Sequence, residues 1–349
     1  MRNWKIHLKT LVDNYPGLRC VASGSAAAAL RLKSAESGAG RFTDFLLPPL
    51  TFHEYLTLLK KTDLIKIIEV DEAYVLETPD IHRLNECFLH YLNFGGYPEV
   101  IFSEEIQSDP GRYIKSDIID KVLLRDLPSL YGIQDIQELN YLFTTLAFNT
   151  ANEVSLKELA KGSGIAKNTI KEYIEYLEAA FLVKVVHRVD RTARRFKRAD
   201  NFKIYLTNPS MRSALFSPIT ADDEAIGALV ETAIFAQWFH SDEKLHYARW
   251  KTGEVDIVSL KANQQPAWAV EAKWSDRYYK RPEKLKSLLS FCRVHNLRLG
   301  MVTTRKVFGG FTKENITLRF MPASIYCYGL GYAIIQGKKR KLYETLSSQ

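Results

Sequence analysis

The sequence predicts an α/β multidomain protein, and three observations carry that expectation. A length of 349 residues holds about two to three domains of ordinary size. Between Ile136 and Val186 the apolar residues and glycines fall at the spacing of a helix-turn-helix followed by a strand. Beyond Leu245, short runs rich in β-branched and aromatic residues flank one longer helical stretch.

Hydrophobic content of 46% and charged content of 25% describe a globular chain with enough apolar material for real cores. The 48 Lys and Arg residues against 40 Asp and Glu give a net charge of +8, compatible with a nucleic-acid partner. Cys20, Cys87, Cys292 and Cys327 are scattered without a CxxC pair, as reduced thiols of a cytoplasmic protein are, so neither a zinc site nor a disulfide frame is expected. No signal peptide and no membrane span are expected either, because no long uncharged apolar run occurs.

In chain order, Leu18 to Ala22 has a short buried-strand pattern running into the polar turn Ser23-Gly24-Ser25. Leu47 to Tyr55 reads as a loop entering a helix, and Thr62 to Asp135 as mostly helical. Within that part, Ile81 to Asn93 places Leu84, Phe88, Leu89 and Leu92 on one helical face, and Gly95-Gly96 ends it. Gly96 to Pro98 reads as a tight packing corner. Tyr113 to Asp126 repeats the helical pattern, with Arg125-Asp126 as an ion pair at its end.

The helix-turn-helix is built from Ile136–Phe148, a second helix capped by Ser155 with Glu158 in the capping-box position, and a third from Asn168 to Ala180. Its third helix exposes Lys167 and Lys171, with Asn168 and Glu175 beside them. Val183 to Val189 reads as the first strand of a wing. Arg188, Arg191, Arg194, Arg195, Lys197 and Arg198 then supply six basic residues in eleven positions, either phosphate contacts or a solvated basic loop. Lys203 to Thr207 is a further strand, and Asn208-Pro209 opens a helix through Phe216.

Asp222-Asp223 can cap a helix from Glu224 to His240, apolar nearly all round and therefore buried. Glu231 is its only carboxylate between Ala225 and Phe239, and a buried acid needs a partner. That partner is either a bound cation or a nearby Arg249 or Lys251. Strands over Leu245–Arg249, Val255–Leu260 and Trp268–Lys273 follow, then a helix over about Pro282–His295 and a buried strand over Leu297–Thr303. Ile316–Phe320 and Ser324–Tyr328 read as closing strands. Tyr278 to Arg281 suits a nucleic-acid backbone or a plain connector, and Gly337 to Arg340 reads as a flexible basic end.

The segment Gly253 to Lys273 organises the rest. If the polar loop Lys261–Pro266 is symmetric about its middle, Asp256 stands opposite Glu271, while Glu271 and Lys273 share a strand face. Directly opposed carboxylates repel unless a cation lies between them, and Lys273 supplies only part of that charge. A D…ExK spacing alone fits a solvated hairpin equally well.

This arrangement resembles the acid and Glu-x-Lys motif of PD-(D/E)xK nuclease-like folds. The resemblance implies that Glu231, Asp256 and Glu271 bind Mg²⁺ or Mn²⁺ and that Lys273 positions the attacking water. The stretch SGSAAAALRLKS…GAGRFTDFLLPPLTFHEYL, with Gly95-Gly96-Tyr97-Pro98-Glu99, Leu124-Arg125-Asp126-Leu127 and Gly253-Glu254-Val255-Asp256, resembles a bacterial and archaeal AAA-type ATPase family that carries such a C-terminal domain. By that resemblance Ser23 and Ser25 end the nucleotide-sensing strand, Arg41 is a phosphate-sensing arginine, and Arg125-Asp126 could touch nucleotide or a neighbouring subunit.

No GxxxxGK[ST] occurs in the chain, so it reads as a truncated member, and neither bound ATP nor ATP hydrolysis by this chain alone is expected. The expected organisation is half of a P-loop ATPase core (residues 1–70), a helical lid (71–135), a winged helix-turn-helix (136–210) and a restriction-endonuclease-like α/β domain (211–349). Function is expected to be Mg²⁺-dependent phosphodiester hydrolysis on nucleic acid. The alternative is a non-catalytic DNA- or protein-interaction module of the same fold.

Overall fold

In the computed structural model the described residues are 4–15, 17–21, 46–70, 73–194 and 200–347. The first helix is α1 (Trp4–Asn14), followed after the loop by α2 (Phe52–Leu58). Thr51 and Glu54 close a capping box at the start of α2, which satisfies two backbone donors of the first turn. A hairpin of β1 (Lys66–Val70) and β2 (Ala73–Glu77) comes next, then α3 (Ile81–Phe94), α4 (Pro98–Phe102) and α5 (Glu104–Ser108). The stretch expected to be mostly helical thus also holds a hairpin, where Ile67, Ile68, Val70, Tyr74 and Val75 are β-branched or aromatic and favour a pleated surface. Gly111–Asp120 and Val122–Asp126 form π-helical turns rather than a regular helix, and α6 (Leu127–Tyr131) continues them. Asp126 makes no ion pair with Arg125; its Oδ2 is buried without a hydrogen-bond partner.

From α7 (Ile136–Phe148) onward the elements are β3 (Glu153–Ser155), α8 (Leu156–Ser163), α9 (Lys167–Ala179), β4 (Val183–Val189), β5 (Asn201–Leu206) and α10 (Ser210–Leu215). Gly164 ends α8 in the left-handed conformation, φ 76°, where a side chain would be strained. Ser155 sits at the start of α8 but makes no side-chain cap, correcting the expected capping box. Its backbone is engaged in the β3–β5 ladder opposite Asn201.

The last third contains α11 (Ile226–Trp238), β6 (Leu245–Trp250), β7 (Gly253–Leu260), β8 (Pro266–Glu271), α12 (Arg277–Lys280), α13 (Lys286–Val294), β9 (Leu299–Thr304), β10 (Gly309–Lys313), β11 (Ile316–Pro322) and α14 (Ala323–Ser347). The order α11, three strands, α13, β9 is the one expected from the sequence. Ser324–Tyr328 is not a strand, and Gly337–Arg340 is not an irregular tail; both belong to α14. A short apolar run fits a buried helix as well as a strand. Here Ser324, Ile325, Cys327 and Tyr328 are all buried. Gly331 lets α14 meet α2 closely, since a Cβ there would lie 2.9 Å from the Thr51 side chain.

Nine strands form one mixed sheet in the order β10-β11-β9-β8-β7-β6-β4-β5-β3. The pairs β4–β6, β8–β9 and β9–β11 are parallel and the rest antiparallel. The sheet therefore runs without interruption across the expected boundary between residues 210 and 211: Arg188 and Val189 of β4 pair with Tyr247 and Ala248 of β6. Near the site, one face of the sheet packs α2, α3, α11 and α14 through Phe52, Phe88, Tyr91, Ile234, Tyr247 and Ile325. The other face packs α13 through Leu288, Phe291, Val255 and Leu318. A third core joins α7, α8, α9 and β5 around Phe143, Ile170, Leu177 and Ile204. Leu18 and Val21, expected in a buried strand, are 47% and 96% exposed, because no described strand lies beside them to bury them. No helix among the described residues is long and apolar enough to cross a membrane.

Candidate active site

Helix α11 carries Leu229, Val230, Ala233, Ile234 and Phe235 at no more than 1% exposure. Its acid Glu231 therefore points into an apolar layer and must be paired there. The partners come from β5, where Lys203 and Tyr205 alternate onto one face of the strand. Lys203 Nζ lies 2.9 Å from Glu231 Oε1, and the Tyr205 hydroxyl donates to the same oxygen at 2.6 Å. Neither Arg249 nor Lys251 is paired with Glu231: Arg249 Nη1 binds Glu254 at 3.1 Å, with Nε 3.8 Å from Glu153.

Asp256 enters from β7 at an irregularity. The pairing of β6 with β7 shifts by one residue between His246 and Ala248, so Asp256 and Ile257 together oppose Tyr247. Such a bulge re-aims a side chain locally and is common beside active sites. On the other edge of β7, Ile257 pairs with Val270 and Val258 with Ala269. That register sets Asp256 level with Glu271, but not through a symmetric loop: Leu260 pairs with Pro266, and a one-residue shift between Ser259 and Leu260 restores the alignment. Asp256 Oδ2 accepts the Ala272 N–H at 2.9 Å and Lys273 Nζ at 2.9 Å. The same Nζ is 3.0 Å from Glu271 Oε1. Thr303 of β9 fixes the strand end, accepting the Lys273 N–H at 2.7 Å and donating to the Lys273 carbonyl at 2.8 Å.

Lys203 joins the two halves of the cluster. Besides Glu231 it reaches Glu254 at 2.8 Å and Asp256 at 3.7 Å. All four residues expected in the site thus converge, and Lys203, Tyr205 and Glu254 join them. Of these three, Lys203 offered one sequence signal, a lysine inside an otherwise apolar strand pattern.

Burial of Glu231 and its proximity to Asp256 raise its pKa to about 7 against the help of Lys203. Burial, then Asp256, raises Glu271 to about 8 although Lys273 opposes both. For Asp256 burial also disfavours the charge, but Lys273, Lys203 and the Ala272 N–H outweigh it and hold the carboxyl below its ordinary range. Burial disfavours the Lys203 ammonium as well, yet Glu231 and the other acids raise its pKa well above normal. The cluster is short of positive charge.

Glu271 Oε2 is buried and has no hydrogen-bond partner. An all-oxygen, acid-rich donor set with one oxygen left over suits a hard divalent ion such as Mg²⁺ or Mn²⁺. The residues fit such an ion at the Asp256–Glu271 pair. Among the described residues no three His, Cys, Asp or Glu side chains converge on one metal position; the ammonium groups of Lys203 and Lys273 stand between the carboxylates.

The expected phosphate contacts are more dispersed. Lys167 pairs with Asp200 at 2.7 Å and Lys171 with Glu175 at 3.8 Å. Arg191 donates to Ser290 Oγ at 2.9 Å, and Arg194 donates its backbone N–H to Asp190. Arg195, Lys197 and Arg198, like Ser23, Ser25 and Arg41, lie outside the described residues.

Residues 1–56 match the model of an AAA domain. Residues 85–223 match that of a domain of unknown function, DUF8612. The second match takes in Lys203 and Tyr205 and ends before Glu231. Two uncharacterized proteins of Methanocaldococcus jannaschii are similar to the chain, at 25% identity over 274 residues and 23% over 277. An uncharacterized protein of Haemophilus influenzae is 20% identical over 249 residues. These alignments cover 70–75% of this chain and 56–57% of the relatives; the chain spans about half the length of the curated relatives it matches. No solved structure matches it. In that N-terminal segment the chain is similar to an AAA domain.

Proposed function

We propose that the cluster around Asp256 is a divalent-metal site for phosphodiester hydrolysis, of the PD-(D/E)xK nuclease-like type, acting on nucleic acid. The observation that carries this reading is the buried, unpartnered Glu271 Oε2 beside a lysine that already bridges Glu271 to Asp256. Asp256 and Glu271 would hold the ion, with Glu231 as the third acid of the set. A bound divalent ion would polarise the phosphate and lower the pKa of a bound water. Lys273, held by Asp256 and Glu271, would orient that water and neutralise charge on the phosphate. The segment 136–206 would act as a winged helix whose Arg191 and Arg194 touch the phosphate backbone, with Lys167 and Lys171 freed from their exposed partners on binding.

Calorimetric titration of Mn²⁺ or Mg²⁺ into the protein and its Asp256→Ala variant, with plasmid nicking followed on the same samples, tests the reading. Ion binding and nicking, both lost in Asp256→Ala, are expected. Absence of ion binding in the unsubstituted protein would overturn it. Ion binding without nicking would favour the second reading, a non-catalytic recognition module of the same fold. The two lysines already seated among the acids are the observation on its side.

A further inference from the structure

Lys203 reaches the cluster from β5, outside both the β7–β8 hairpin and its neighbour β6. It is 3% exposed, and three carboxylates lie within ion-pair reach: Glu231 at 2.9 Å, Glu254 at 2.8 Å and Asp256 at 3.7 Å. A buried ammonium is tolerated only where acids surround it. A cation held among three acids does part of what a metal ion does. It neutralises them and fixes their separation.

The charges around it limit what else the site can take. Glu153, Glu231, Glu254, Asp256 and Glu271 face Arg188, Lys203, Arg249 and Lys273. With every group ionised, these pairs fall one positive charge short. One divalent ion more than covers that deficit, and a second would leave a large excess buried positive charge. The free oxygen, on Glu271, lies at the Lys273 end of the cluster. At the other end Glu231 Oε1 already accepts from both Lys203 and Tyr205.

We propose that Lys203 is a built-in cation standing where a second divalent ion would sit, a positioning residue that commits Glu231 and Glu254 and leaves the Asp256–Glu271 pair to a single ion. The inference rests on the divalent-metal reading of the site. It also means that the site draws an essential charge from β5, outside the α11–β9 unit that supplies the acids.

The test is Mn²⁺ titration of the full chain by calorimetry and electron paramagnetic resonance, for the unsubstituted protein, Lys203→Met and Lys203→Arg. One ion per chain with an isolated Mn²⁺ signal is expected for the unsubstituted protein and for Lys203→Arg. Lys203→Met is expected to take up a second, spin-coupled ion, or to bind the first about tenfold more tightly, because a like charge next to the ion has been removed. If Lys203→Met does not fold, Lys203→Gln keeps hydrogen-bond donors near the acids without the charge and carries the same expectation. One ion of unchanged affinity in the neutral variant overturns the inference while leaving the metal site standing. Two ions in the unsubstituted protein overturn it without any variant. No ion in any of these proteins defeats the metal reading itself, and this inference with it.

Discussion

The same ion-pair chemistry appears twice in this molecule under opposite conditions. On α9, Lys167 and Asp200 pair at 2.7 Å with side chains 45% and 52% exposed, and Lys171 meets Glu175 at 67% and 61%. In the sheet, Lys203 and Glu231 pair at 2.9 Å with side chains 4% and 11% exposed. Distance barely separates Lys167–Asp200 from Lys203–Glu231; burial does. An exposed pair exchanges one hydrated partner for another and is worth about 0–1 kcal/mol. A buried pair has lost its water, so removing either member strands the other. The surface lysines of α9 are thus available to an incoming phosphate at little cost, whereas the buried ones are part of the architecture.

The largest test of this contrast is Asp256→Ala. It deprives Lys273 of a partner at 2.9 Å and Lys203 of one at 3.7 Å, and is expected to destabilise the fold by about 3–5 kcal/mol in denaturant melts. Tyr205→Phe comes next. It removes the hydroxyl that donates to Glu231 at 2.6 Å and should cost about 1.5–3 kcal/mol, the worth of a hydrogen bond to a charged group.

The pH dependence of stability sharpens the contrast further. Glu231 and Glu271 have folded-state pKa values raised to about 7 and about 8 from 4.5. Their protonated forms favour folding, so their contribution is complete below about pH 4.5 and lost as pH rises through 7 and 8. Asp256 works in the opposite sense, its contribution being lost only as pH falls through the acid range. Thermal melts without metal should therefore show the melting temperature falling by several degrees from pH 5 to pH 8.5. Mg²⁺ should restore part of the loss at pH 8.5, and Glu271→Gln should flatten the slope.

Three smaller effects finish the series. Asp80 caps α3 by accepting the N–H groups of His82 and Arg83, so Asp80→Ala should cost about 1 kcal/mol. Ser155→Ala, at a helix start with no side-chain cap, should cost well under that. Lys167→Ala should change stability by less than about 0.5 kcal/mol. If α9 meets a nucleic-acid backbone, the same variant should weaken duplex binding for all sequences alike and lower the salt slope by about 1. An unchanged salt slope would remove Lys167 from the interface.

Much of this site could be read from the chain because its signals are local. Glu231 stands alone in an apolar helix, and the polar loop Lys261–Pro266 brings Asp256 to within one residue of Glu271, the last step coming from the pairing shift between Ser259 and Leu260. The boundaries of α7 and β4 follow from hydrophobic period. Lys203, despite standing in an apolar strand pattern, and Tyr205 could not be placed in the site from the chain, because their position depends on β4 pairing with β6, a contact between segments about sixty residues apart that no local pattern encodes. The β1–β2 hairpin and β10 were missed for a different reason. Short two-sided segments carry too few residues to set a clear period.

The β4–β6 pairing also bears on how the protein can be taken apart. A fragment beginning at residue 211 would keep Glu231, Asp256, Glu271 and Lys273, every residue of the motif. It would lose Lys203, and β6 would become an open edge exposing unpaired backbone groups to other chains. Such a piece would carry the motif intact and still be prone to aggregate, its acids repelling one another inside the fold. Any cut that keeps Lys203 and the pairing of β4 with β6 has to fall before β4.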